Sequence, residues 1–132
     1  MIGVDTNILL RYIVRDDAEQ YAKAETFLKA RTADDPAFVS LIVLVELTWV
    51  LRRLYRYSRA QVHAVLQLIV ETAGLVVEDE YLVSRLIGSG VALKDELADH
   101  LIAHSSAKAG CVQTVTFDRD AAAAVPAMEL VP

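Results

Sequence analysis

The chain has 132 residues, 55% of them hydrophobic, with a mean hydropathy of +0.35 and a formal net charge of -5 from 18 acidic and 13 basic residues. That length closes one core and leaves no room for a second domain, and the acidic balance argues against a generic nucleic-acid binder. The single cysteine, Cys111, excludes an internal disulfide, no run of roughly 18 apolar residues is present to span a bilayer, and without a signal-like start the expected location is a reducing cytoplasm.

In chain order, Met1-Ile2-Gly3-Val4 reads as an opening strand closed by Asp5, and Ile8 to Val14 as a first helix. Asp16-Asp17 offers an N-cap for a helix over Ala18 to Arg31, where Tyr21, Ala24, Phe27 and Leu28 follow helical spacing. Asp34-Asp35-Pro36 breaks the chain. Ala37 to Ser40 is a short strand, and Leu41 to Tyr57 a long apolar helix. Ser58 caps the next helix, Arg59 to Ala73, which ends at Gly74. Leu75-Val76-Val77 is a strand, Asp79 to about Ile87 a helix, and Gly88-Ser89-Gly90 a loop. Asp95 to Ala109 forms a helix ending at Gly110, Val112 to Phe117 a strand, Ala121 to Ala124 a short helix capped by Asp120, and Met128 to Val131 a last edge strand. Strands alternating with helices predict a single α/β domain, residues 1–132, with a central, mostly parallel sheet of about four to five strands flanked by helices on both faces.

Four carboxylates carry the functional reading. Asp5 and Asp118 each follow a strand, so in one parallel sheet both project from the same edge, where open α/β sheets place ligands. A turn or N-cap role is the bland alternative for Asp5. Glu46 sits among Leu44, Val45, Leu47 and Val50, where an unpaired buried charge is costly. Its neighbours one turn away, Ile42 and Val50, are not basic, so a metal or a ligand cation is the expected partner. Asp99 lies a turn inside its helix, beyond Asp95 and Glu96, which serve the helix dipole. Two unit charges about 4 Å apart repel by roughly 4 kcal/mol at an effective dielectric near 20, so converging carboxylates require a cation. An all-oxygen ligand set suits Mg²⁺ or Mn²⁺ rather than zinc. Separately, Arg52, Arg53, Arg56 and Arg59 interleave with Tyr55 and Tyr57. That mixture suits phosphate contacts and base stacking, and equally suits a helix C-terminus satisfying its dipole.

Val4-Asp5-Thr6-Asn7-Ile8-Leu9-Leu10, Val45-Glu46-Leu47, Ala98-Asp99-His100-Leu101-Ile102-Ala103 and Val115-Thr116-Phe117-Asp118-Arg119-Asp120 occur in that order. They resemble the motifs of PIN-domain ribonucleases, most closely the VapC toxins of type II toxin-antitoxin pairs, over essentially the whole chain. The resemblance implies that Asp5, Glu46, Asp99 and Asp118 hold Mg²⁺ or Mn²⁺ as the catalytic set, with Asn7, Thr6 and Thr116 assisting. Glu96 has two readings, a fifth ligand or a dipole partner. His100 stands where the family usually has a small residue; adjacent helix positions diverge by about 100°, so it flanks the site. Of Asp118 and Asp120, Asp118 is chosen because it follows the strand directly. The parts imply metal-assisted hydrolysis of RNA, single-stranded or structured and of the tRNA or ribosomal class, with Arg52, Arg53 and Arg56 anchoring phosphates.

The resemblance also implies a cognate VapB-like antitoxin lying across the groove and a homodimer. The high hydropathy, together with Trp49, Leu51, Leu54, Tyr55, Tyr21 and Phe27, agrees with apolar surface covered by a partner. Alternatives are a PIN nuclease of RNA processing, a non-catalytic interaction module, and a phosphatase or receiver domain. Asp5-Thr6-Asn7 echoes the haloacid-dehalogenase D-x-D, but its second acid is Asn, and Lys94 and Lys108 are poorly placed for the lysine those enzymes need. No lysine follows Val112 to Phe117 as a receiver domain requires.

Overall fold

The computed structural model describes residues 1–132. β1 (Ile2–Gly3) leads through Asp5, an N-cap, into α1 (Thr6–Val14). Asp17 caps α2 (Ala18–Lys29) by accepting the Gln20 N–H at 2.9 Å, as the acidic pair predicts. After β2 (Ala37–Val39), Ser40 caps α3 (Leu41–Arg53). α4 (Arg59–Glu71) opens with a reciprocal capping box: the Ser58 hydroxyl accepts from the Gln61 N–H, and the Gln61 side chain accepts from the Ser58 N–H. β3 (Leu75–Val77), α5 (Glu80–Gly88), α6 (Val91–Lys94), α7 (Leu97–Lys108), β4 (Thr114–Thr116), α8 (Arg119–Ala124) and β5 (Met128–Leu130) complete the chain.

Three elements differ from the sequence reading. α3 stops at Arg53 rather than reaching Tyr57, because Arg56 adopts a left-handed conformation (φ 56°) and the Tyr57 N–H turns back to the Leu51 carbonyl at 2.9 Å. The loop after Gly88 contains α6, a single turn too short to leave a periodic signal, entered through left-handed Gly90. α8 begins at Arg119, and its cap is Asp118 rather than Asp120.

All pairings are parallel, as an α/β alternation requires, but the five strands form two ladders instead of one sheet. β1, β2 and β3 lie in that order, with Ile2 opposite Ala37 and Ala37 opposite Leu75, while β4 pairs only with β5, Thr114 opposite Met128. β1 offers just two residues to a further neighbour, one of them glycine and both exposed. β4 turns Val115 outward at 53% exposure, with Phe117 beyond it at 87%.

The core follows from the α3 pattern. Leu44, Leu47 and Leu51, spaced one face of a helix apart, are fully buried together with Leu66 of α4 and Val83 of α5. A separate cluster of 4 residues, Ala103, Ala121, Val125 and Met128, joins the β4–α8–β5 unit to α7. α7 is tied at its other end by Asp79, at the entry to α5, whose carboxylate meets His104 Nε2 at 2.8 Å and Lys108 Nζ at 2.9 Å. Those two partners hold the Asp79 carboxyl below the usual range. No helix is long and apolar enough to cross a membrane.

Candidate active site

The start of α7, the start of α8, the second half of α3 and the start of α4 enclose a cavity of about 720 Å³. Its lining carries both signs of charge. Arg52, Arg53, Arg59 and Lys94 line it together with Asp95, Glu96, Asp99, Asp118 and Asp120, and Glu96 meets Arg52 and Arg59 directly.

Asp99 and Asp118 are thus brought together. Asp99 is half-buried on α7, and burial first, then the neighbouring charges of Asp118 and Glu96, push its carboxyl above the usual range; His100 opposes this in part. Asp118 is exposed but held: its Oδ1 accepts from the Asp120 N–H at 2.9 Å and the Ala121 N–H at 3.0 Å, and its own N–H donates to Thr116 Oγ1 at 3.0 Å. Thr116 therefore reaches the site through the backbone of Asp118. Because Asn caps helices about as well as Asp, Asp118→Asn should keep the melting temperature near wild type while lowering the Asp99 pKa. Asp118→Ala should lose about 1 kcal/mol of stability with the cap. Denaturation curves and an Asp99 carboxyl titration by NMR check both.

Glu46 and Asp5 are placed elsewhere. Glu46 is exposed, on an outward stripe with Ile42, Trp49 and Arg53, in a groove between α3 and α7 also lined by Ile102 and Lys108. Leu44 and Leu47 turn into the core while Glu46 stays exposed beside Val45 in the groove, so the buried-charge argument for a counter-ion does not apply. Trp49 lines both this groove and the acidic cavity. Asp5 lines neither; its Oδ1 accepts the Asn7 N–H at 2.6 Å as the cap of α1, at the end of a strand in the other ladder from Asp118. Thr6 is buried, and Asn7 lines a hollow between α1 and α2. No three or more Asp, Glu, His or Cys side chains are spaced to hold a metal ion. Asp99 and Asp118 are therefore the pair this cavity offers to a divalent ion, which one or two carboxylates with waters and substrate oxygens can hold, whereas Asp5 and Glu46 do not line it.

Of the expected phosphate anchors, Arg52 and Arg53 line the cavity, whereas Arg56, whose left-handed backbone makes the turn after α3, does not. Arg59 takes its place. The signal was the Ser58 cap, which sets Arg59 at the first position of α4, next to the end of α3. Lys94 and Asp95 also join the walls, and both come from the α6 turn that the sequence did not reveal. His100 is nearly buried, with Nε2 3.6 Å from Asp95 Oδ2 and no hydrogen bond.

A parallel α/β fold hosts many activities, so the class is set by what the chain is similar to rather than by the fold alone. The model of the PIN domain family matches residues 2–126, and the chain belongs to that family. PIN domains are generally nucleases and typically use divalent metal ions. Comparison with curated proteins and with solved structures returned no match.

Proposed function

We propose that this PIN domain is a Mg²⁺- or Mn²⁺-dependent endoribonuclease that acts in the cytoplasm as the toxin of a toxin-antitoxin pair. The observation that supports the reading is one cavity lined by both cations and acids: Arg52, Arg53 and Arg59 would take the phosphates of an extended strand whose backbone meets the carboxylates of Asp99 and Asp118. A cavity of this kind takes single-stranded or looped RNA of the tRNA or ribosomal class, whose backbone is free to enter. Glu46 and Asp5 stay in the catalytic proposal on their family motifs alone, and no step is assigned to them.

The partner proposed is an antitoxin whose apolar, cation-bearing segment occupies the groove between α3 and α7. Ile42 at 79% exposure, Trp49 at 53% and Ile102 at 45% support it, with Glu46 as the acidic group such a cation would meet. A homodimer is proposed through the exposed apolar surface that includes Leu54; Leu51, expected to contribute to it, belongs to the core.

The test is sequencing of RNA 5′ ends after purified protein meets total RNA with Mn²⁺. Discrete cuts in tRNA or ribosomal RNA that vanish with a chelator are expected. Intact RNA at every metal concentration would count against the nuclease reading.

A further inference from the structure

Arg52 leaves the last turn of α3 and Arg59 opens α4, so the short connection between them brings two guanidiniums to one wall of the cavity. Main-chain carbonyls fix each one: Arg52 Nη1 donates to the Tyr57 carbonyl at 3.0 Å, and Arg59 Nη1 to the Lys94 carbonyl. With those ends held, both Nη2 groups converge on a single atom, Glu96 Oε1, each at 3.4 Å. A charge-assisted N–H···O bond runs at about 2.7–2.9 Å, so both contacts are slack. Both Nε–H groups are buried with no partner at all. An unpaired buried donor is unfavourable, and the two Nη2 groups that do converge are filled poorly by one carboxylate oxygen. Glu96 is also the N-cap residue of α7, yet its side chain caps no backbone N–H. It faces the arginines instead. A phosphodiester offers two non-bridging oxygens spread tetrahedrally, which suits two guanidinium forks better than one carboxylate oxygen does.

We propose that Arg52 and Arg59 form a backbone-phosphate subsite, and that Glu96 is the internal anion that occupies it until RNA displaces it. The proposal rests on the RNA-cleavage reading above and assigns Glu96 a role different from that of metal ligand or dipole partner. It is a positioning residue: it keeps two fixed guanidiniums neutralised in the free protein and competes with the ligand they are oriented to receive.

The probe is inorganic phosphate, titrated into metal-free protein and followed through the arginine Nε–H resonances. Glu96→Gln is expected to tighten phosphate binding about tenfold, the scale of one competing charge-assisted bond removed. Adding Arg59→Gln should abolish that gain. A non-cleavable 2′-O-methyl single strand separates RNA backbone from free phosphate: the log–log salt slope of its binding should fall by about 0.7 in Arg59→Gln, the release expected for one phosphate contact. If Arg59→Gln melts early, Arg52→Lys, which keeps the charge and loses the fork, replaces it, and the loss of the Glu96→Gln gain is then the readout. Phosphate affinity unmoved by Glu96→Gln would overturn the proposal and leave the three side chains as a staple between α3, α4 and α7. Tightened phosphate with an unchanged RNA salt slope would overturn the RNA-backbone assignment. Cleavage is measured separately: RNA cut normally with phosphate affinity unmoved removes the subsite alone, and tightened phosphate in a protein that cuts no RNA removes the nuclease reading and leaves the subsite standing.

Discussion

Asp99→Asn should melt higher than the parent protein at neutral pH without metal, and, on the proposed metal-dependent mechanism, cleave RNA at least about a hundredfold more slowly, since a carboxylate lost from the proposed metal site removes several kcal/mol of charge stabilisation. The two effects come from one cause. Burial, reinforced by Asp118 and Glu96, raises the Asp99 pKa in the folded state above the ordinary value of an aspartate. Below that value the acid is protonated in both states and carries no penalty. As pH rises from there to the raised value, the unfolded chain loses its proton while the folded one keeps it, so stability falls with pH across that window and stays reduced above it. The helix dipole favours an acid in the first turn by no more than about 1 kcal/mol at an exposed site, and the raised pKa means that burial and its neighbours outweigh it. Asparagine removes the penalty, so the mutant's advantage should be present at pH 7 and vanish in acid. Thermal melts across pH, paired with single-turnover cleavage, check both halves. A mutant that is less stable at neutral pH, or that cleaves at the parent rate, would contradict the assignment.

The largest expected loss of stability lies on the other side of α3. Leu47 is fully buried against the main core, and Leu47→Ala should lose about 2–5 kcal/mol, the range for a leucine truncated where neighbours cannot collapse into the cavity. A domain of this size holds roughly 5–15 kcal/mol in total, so the mutant should unfold at low denaturant and lose activity through unfolding rather than chemistry. Ile42→Ala, one turn earlier on the exposed stripe, serves as the control and should leave the denaturation midpoint nearly unchanged, because its side chain is already in water.

The same helix marks where the sequence was legible and where it was not. Local signals placed most elements: Ser58 with Gln61 marks the start of α4, Asp17 caps α2, and Leu75–Val77 is the strand expected. The end of α3 was missed because Arg56 enters the left-handed region without being a glycine or an asparagine. Glu46 looked buried because its sequence neighbours are apolar, but successive helix positions diverge by about 100°, and the Leu44, Leu47 and Leu51 face turns away from it. The sequence favours Asp118 over Asp120 because it follows the strand directly and Asp120 reads as the cap; in the structure Asp118 is itself the cap, and both line the cavity. The least legible feature is strand pairing. Whether β4 joins β1 in one hydrogen-bonded sheet depends on long-range packing that no local pattern encodes.

The measurement closest to the central claim is a calorimetric titration of Mn²⁺ into the wild-type protein and Asp99→Asn. A site on the wild type that weakens at least about tenfold in the mutant, the scale of one first-contact carboxylate, is the predicted result. Mn²⁺ affinity that is the same in both proteins would contradict the account.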